Sequence, residues 1–128
     1  YYEGTWEPTI IADGSNPTFT YSQQVGRYTR RGRSVRVFVR ISWTGVTGGS
    51  GNVIVTLPVI GQAGQLLLVE NGNAFNFSSA PDWVNAYTYS SGVLIRSQRN
   101  NSVAGNLQVS ELNTGGTHNI VVAGEYDV

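Results

Sequence analysis

The sequence predicts an all-β fold, an antiparallel β-sandwich whose expected arrangement is a jelly roll, with a closed barrel as the alternative. Apolar side chains alternate with polar ones along several short runs, which is the period of a half-buried strand. Clusters of Gly, Asn, Asp and Ser separate these runs, as turn-forming residues do. No segment repeats apolar residues at helical spacing over three turns. The chain has 128 residues, the length of a single domain, which we place over residues 1–128.

The first half of the chain contains the strongest strand signal. Apolar residues occupy every second position from Val35 to Trp43, which predicts the central strand. A glycine-rich break over residues 47–51 separates it from a β-branched strand over residues 52–57, and we expect these two strands to form a hairpin. Trp6 and Trp43 lie inside such apolar patterns and are expected in the core. Further strands are predicted within residues 5–10, 18–22 and 26–32.

The second half of the chain repeats the pattern of short strands and glycine turns. Turn pairs occur at Asn71-Gly72 and Ser91-Gly92, and a third turn covers residues 114–116. The strands between these turns are predicted over residues 65–70, 85–90, 93–97, 106–112 and 118–128. About eight to ten short strands in total is the pattern of a sandwich.

The charge balance argues against nucleic-acid or membrane partners. Eight arginines and eight carboxylates cancel, so no net field attracts polyanions. No apolar stretch approaches the roughly 20 residues of a membrane span, so we expect no membrane insertion. Charged residues make up 12% and apolar residues 40%, which favours a surface that is partly covered in an oligomer.

Few residues in this chain suit catalysis. His118 is the only histidine, which excludes a multi-histidine metal site, and its place beside a Gly-Gly turn predicts a solvated residue. Glu125 and Asp127 share one face of the last predicted strand about 7 Å apart, and glycoside cleavage needs two such acids. We interpret them instead as partners of arginines on a neighbouring strand or subunit. The sequence therefore predicts no catalytic residues, no metal, no cofactor and no enzymatic activity.

Asp82, Trp83, Asn85, Tyr87 and Tyr89 form the most suggestive stretch for a ligand. Sugars require a flat apolar face for the C–H side of the ring, with donors and acceptors nearby for the hydroxyl groups. Trp83 would be the platform, with Asp82 and Asn85 as polar partners. The alternative is that Trp83 is a core residue at the start of a strand and that Tyr87 and Tyr89 share its face.

The other face of the central strand carries Arg36, Phe38 and Arg40. An aromatic side chain between two arginines is unusual for plain exposure to solvent, and both residue types are enriched at protein interfaces. We therefore predict a subunit interface on this face. The alternative is an arginine pair flanking one exposed phenylalanine, balanced by carboxylates on a neighbouring strand.

Four segments of the chain together resemble a recurrent bacteriophage module. That module has approximately the pattern GTWTPT, then YxxQxGxYTxxG, a long strand, TGN, and a strand closing with LP. The likeness is close over the first half of the chain, and Glu7 and Arg31 depart from the residue types usual there. The corresponding segments here are Gly4-Thr5-Trp6-Glu7-Pro8-Thr9, Tyr21-Ser22-Gln23-Gln24-Val25-Gly26-Arg27-Tyr28-Thr29-Arg30-Arg31-Gly32, Gly51-Asn52 and Leu57-Pro58. The chain therefore resembles the C-terminal domain of a phage tail fibre or tailspike.

The resemblance implies a β-sandwich that forms a homotrimer at the distal part of a fibre in the virion, as the C-terminal part of a longer protein. On this basis we expect a host-attachment module that binds a cell-surface glycan or another surface receptor. One alternative is a structural cap that trimerises and stabilises the fibre without a ligand. Another is a small glycan hydrolase. The matching positions are turn and packing residues, so the resemblance implies architecture rather than a binding site.

Overall fold

The computed structural model describes residues 1–72, 74–75, 83–89, 91–98, 105–114 and 116–128. In these residues all strand pairs are antiparallel and the helical structure is a single 3-10 turn, Val109–Glu111. No helix in the described ranges is long and apolar enough to cross a membrane. The strands are β1 (Tyr2–Trp6), β2 (Ile10–Ala12), β3 (Thr18–Arg31), β4 (Ser34–Thr47), β5 (Val53–Thr56), β6 (Leu66–Gly72), β7 (Trp83–Tyr89), β8 (Gly92–Gln98), β9 (Gly105–Asn106) and β10 (His118–Asp127).

The ten strands form one continuous sheet in the order β1-β3-β4-β10-β6-β7-β8-β5-β2, with β9 beside β8. Strand β6 joins the two halves of this sheet. Its residues 68–72 pair with β10, whereas Leu66 and Leu67 pair with β7. The sheet therefore folds over at β6, and its halves enclose one core. This arrangement confirms the predicted all-β, antiparallel, sandwich-like fold.

The core follows from the alternation in β4. Its predicted inward residues are all buried, and Trp43 donates a hydrogen bond from Nε1 to the carbonyl oxygen of Asn113 at 2.9 Å. Side chains of the opposite half complete the same cluster, among them Val55, Val93 and Ile95. Each such aliphatic side chain stabilises the fold by about 1.5–3 kcal/mol relative to leaving it exposed. Trp6 differs from Trp43, because it is only partly buried at the border of this core.

The predicted hairpin of β4 and β5 is wrong. β4 pairs with β3 and β10, and β5 pairs with β2 and β8. The segment between these strands leads the chain from one half of the sheet to the other. Gly48, Gly49 and Gly51 in this segment adopt positive φ angles, which glycine tolerates. Ser50 anchors this crossing through two backbone hydrogen bonds with Ser15, each 3.0 Å long. The strands predicted on either side of the Ser91-Gly92 turn are β7 and β8, which pair with each other.

Other differences from the prediction concern the limits of strands. The run over residues 5–10 is divided between β1 and β2, because Pro8 lacks a backbone donor for a ladder. The two short strands expected within residues 18–32 are one strand, β3, with register irregularities near Tyr21. Residues 106–112 contain the end of β9 and the 3-10 turn instead of a strand, and Asn71-Gly72 lies inside β6.

Candidate functional site

Strand β7 presents most of the predicted glycan residues on its outer face. Ala86 and Thr88 are buried on the core side, so the alternating positions face outward. Trp83 is 38% exposed and Tyr89 is 41% exposed, with Asn85 and Tyr87 between them on the same face. The interpretation of Trp83 as a core residue is therefore wrong, whereas the face that it shares with Tyr87 and Tyr89 is as expected. Asp82 lies outside the described residues.

The four outward residues of β7 do not have the same environment. Trp83 and Tyr89 are six positions apart, about 20 Å along a strand, so each offers a separate flat surface. Tyr87 is held in place: its hydroxyl donates to Asn106 Oδ1 at 2.9 Å and accepts from Arg96 Nη2 at 3.1 Å. The guanidinium carbon of Arg96 also lies 4.4 Å from the centre of the Tyr87 ring. Tyr87 is therefore fixed within the sheet, and Arg96 already occupies one face of its ring.

The predicted interface residues lie together on the outer face of β4. Arg36 and Arg40 are exposed, and Phe38 is half-buried between neighbouring strands. A third arginine joins them, because Arg27 on β3 is the cross-strand partner of Phe38. The guanidinium carbons of Arg27 and Arg40 lie 4.9 Å and 6.0 Å from the centre of the Phe38 ring, within the range of cation–π attraction. The alternation within β4 could not reveal Arg27, because β3 lies in a separate run of the sequence.

One carboxylate neutralises part of this cluster. Glu125 on β10 accepts a hydrogen bond from the Ser34 hydroxyl, and its Oε2 lies 3.5 Å from Arg36 Nη2. The Ser34 hydroxyl, and then Arg36, hold the pKa of Glu125 below its ordinary range, because both favour the ionised form. This contact confirms that Glu125 pairs with an arginine of a neighbouring strand. It is the sole ion pair among the described residues, so Arg27 and Arg40 have no carboxylate partner there.

A groove of about 920 Å³ lies over this part of the sheet. We call it the Phe38 groove. It follows the outer side of β1, β3, β4 and β10, and its lining combines aromatic, cationic and acidic groups. Phe38 lines it together with Glu3, Thr5, Arg27, Arg36 and Glu125. The predicted interface is therefore a concave surface rather than a flat one.

One apolar feature of the outer surface was not predicted from the sequence. Leu66 and Leu68 on β6 are 71% and 73% exposed, while Leu67 between them is buried. The signal was present in the sequence, because three consecutive leucines in a strand must place two on the face opposite to the third. Leu66 is the cross-strand partner of Tyr87, and Leu68 is the partner of Ala123. The outer faces of β7 and β4 are thus connected through β6.

The one histidine considered for catalysis lies in the core of the fold. His118 is buried and its ring lies 6.1 Å from that of Trp43, so the prediction of a solvated turn residue is wrong. It begins β10, where its side chain faces the core on the same side of the strand as those of Ile120 and Val122. The described residues contain no group of three or more histidine, cysteine, aspartate or glutamate side chains that could hold a metal ion.

Comparisons of the chain with protein-family models, with characterised proteins and with solved structures found no match. Its resemblance to phage fibre domains therefore stays a prediction from four sequence segments. The functional interpretation depends on those segments and on the geometry of the outer surface.

Proposed function

We propose that this chain is the host-attachment module of a phage tail fibre or tailspike, carried by the virion as a homotrimer, and that it binds a cell-surface glycan through the outer face of β7. The observation that carries this proposal is the exposure of Trp83 and Tyr89 on a strand in the interior of a sheet. Both rings are held on a rigid scaffold, which lowers the entropy lost on binding.

The chemistry of this face fits a sugar chain. Each exposed ring can stack on the C–H face of a sugar, and Asn85 lies between them as a donor and acceptor for hydroxyl groups. The 20 Å between the rings, estimated from strand geometry, corresponds to an extended oligosaccharide rather than a single sugar. Individual contacts of this kind are weak, and three linked copies raise the overall affinity by avidity.

The Phe38 face is the proposed contact between subunits. Arg36, Phe38 and Arg40 combine an aromatic anchor with arginines, which are the residue types that dominate interface energetics. The two arginines that lack a carboxylate in the described residues, Arg27 and Arg40, support this role. A partner subunit that supplies carboxylates would satisfy them.

A structural cap without a ligand is the second candidate function. It is favoured by Tyr87, which is fully engaged with Arg96 and Asn106 and so contributes to the stability of the sheet. A small hydrolase is less well supported, because a glycosidase needs one carboxyl group with a raised pKa as the proton donor. The pKa of Glu125 is shifted in the opposite direction.

Glycan-array binding tests the proposal, with the chain coupled to beads at high density so that avidity does not depend on self-assembly. We expect wild-type beads to bind a subset of glycans, and Trp83→Ala to weaken this binding by about tenfold, which corresponds to about 1.4 kcal/mol. Tyr1→Ala is the matched control, because Tyr1 is an exposed aromatic residue at the far end of the sheet. Wild-type beads that bind no glycan would favour the structural cap. Equal binding by Trp83→Ala would exclude the β7 face as the site.

A further inference from the structure

Two exposed leucines stand beside the Phe38 groove on the same surface. We call Leu66 and Leu68 the leucine ridge. The ridge is exposed because Leu66 and Leu68 lie on the face of β6 opposite to the buried Leu67, which is the outer face of the sheet. Two adjacent aliphatic side chains exposed at this level form an apolar patch in a chain with few charges. Exposed apolar patches that polar residues surround occur at interaction sites.

The register of the strands fixes how the ridge and the groove are related. Leu68 pairs with Ala123, and Ala123 pairs with Phe38, so the three side chains form one row on the outer face. Two strand spacings separate Leu68 from Phe38, about 10 Å. Ala123 between them is too small to fill the space. The Phe38 groove and the leucine ridge therefore lie side by side on the outer face.

Charges on the two surfaces are complementary as well. Glu70 follows Leu68 on the same face of β6, is exposed, and has no cation within 4 Å in the part of the chain that the structure describes. Arg40 lies in the same row as Glu70, two strands away across Val121, at about 10 Å. Within one copy, Glu70 and Arg40 form no ion pair with each other. Between two copies, the negative charge of Glu70 beside the ridge matches the positive charge of Arg27 and Arg40 at the groove, which lack a carboxylate partner in the described residues.

We propose that the leucine ridge of one copy of this chain docks in the Phe38 groove of a second copy, with Glu70 reaching Arg27 or Arg40 of that copy. The partner that docks in the groove is a second copy, because one chain carries both matching surfaces. The leucine ridge is apolar and has Glu70 beside it, and the Phe38 groove is aromatic and has arginines that lack a carboxylate partner in the described residues. Such a contact joins two different surfaces, so it is heterologous, and in the proposed homotrimer it closes into a ring of three copies. The inference rests on the proposed homotrimer and identifies the surfaces that form it.

Sedimentation of variants gives the first test. The expected result is that wild type sediments as a trimer and that Leu68→Arg, which places a cation against the arginines of the groove, weakens assembly at least tenfold. Ile60→Arg is the matched control, because Ile60 is an equally exposed aliphatic residue in the segment between β5 and β6. A monomer at millimolar wild-type concentration, or unchanged assembly of a folded Leu68→Arg variant, would overturn the proposal.

Cysteine cross-linking gives a test that does not depend on loss of assembly. The chain has no cysteine, so Leu68→Cys and Thr5→Cys provide single thiols on the ridge and at the wall of the groove. Mild oxidation of a mixture of the two variants should yield the mixed disulfide dimer, and neither variant alone should cross-link efficiently. Efficient self-linking of Leu68→Cys would indicate a ridge-to-ridge contact and refute the ridge-in-groove arrangement.

These outcomes separate the inference from the proposed function. Glycan binding by wild-type beads with no self-assembly in solution leaves the attachment function intact and removes this contact. Mixed cross-linking without glycan binding supports the contact and favours a structural cap. A dimer that cross-links through ridge and groove retains the contact and contradicts the trimer.

Discussion

Tyr126 shows how one side chain connects the last strand to the rest of the molecule. Its ring is buried in the core, and its hydroxyl donates to the Val59 carbonyl oxygen at 2.7 Å. Burial raises the pKa of Tyr126 to about 12, because the interior disfavours the phenolate. The neighbouring Glu125 and Asp127 point outward, so the alternation in β10 gives consecutive residues opposite roles.

Replacing Tyr126 with Phe should lower the free energy of unfolding by about 1 kcal/mol at pH 8, because the partly buried Val59 carbonyl loses its donor. The pH dependence has a definite sign. The hydroxyl ionises near its ordinary pKa of 10.0 in the unfolded chain and near 12 in the folded protein, so this stabilisation is complete below pH 10 and is lost as the pH rises towards 12. Urea unfolding at pH 8, 10 and 11 measures both effects. Equal alkaline loss in wild type and Tyr126→Phe would contradict the assignment.

At the scale of elements, the two edge strands of the sheet differ in whether side chains form hydrogen bonds with their outward backbone groups. The outer edge of β2 is capped by side chains: Ile10 N–H donates to the Tyr21 hydroxyl at 3.0 Å and Ala12 N–H donates to Asn16 Oδ1 at 3.1 Å. In the described residues no side chain caps the backbone of β1, the strand at the opposite edge. Capping protects an edge strand from pairing with other chains.

Loss of the cap on β2 should be measurable in one variant. Tyr21→Phe removes the hydroxyl but keeps the ring stacked on Phe19, where the centroids are 5.1 Å apart. We expect a loss of about 1 kcal/mol of stability, because the Ile10 N–H loses its acceptor. Thermal unfolding of Tyr21→Phe, compared with Tyr89→Phe on the exposed face of β7, measures this loss. Equal melting temperatures for the two variants would show that the hydroxyl does not stabilise the edge.

Strands with strong alternation could be predicted from sequence, and their partners could not. β4 is predicted because apolar residues occupy every second position from Val35 to Trp43, and β10 because a glycine turn over residues 114–116 precedes it. The predicted hairpin of β4 and β5 is wrong because adjacency in sequence does not determine pairing when a glycine-rich segment crosses between halves of a sheet. His118 was misplaced because the adjacent glycines suggested a turn, although its spacing from Ile120 already continues the buried period of β10.

At the scale of the whole molecule, the sequence identified two outer faces but not their connection. The Trp83 face and the Phe38 face belong to distant runs, and only the fold-over at β6 makes them parts of one surface. The three consecutive leucines at that point predict that two share one face of β6, but only the fold shows that this face is the outer one. The two proposals thus divide the outer surface into a ligand face and a self-contact face.

Hydroxyl-radical footprinting of the assembled protein tests that division in one measurement. Relative to a folded, monomeric Leu68→Arg variant, wild type should show protection of Phe38 and Leu66, because they belong to the proposed contact. Trp83 and Tyr89 should stay equally reactive in both proteins, since the account reserves them for the ligand. Protection of Trp83 with Phe38 and Leu66 fully reactive would contradict the account.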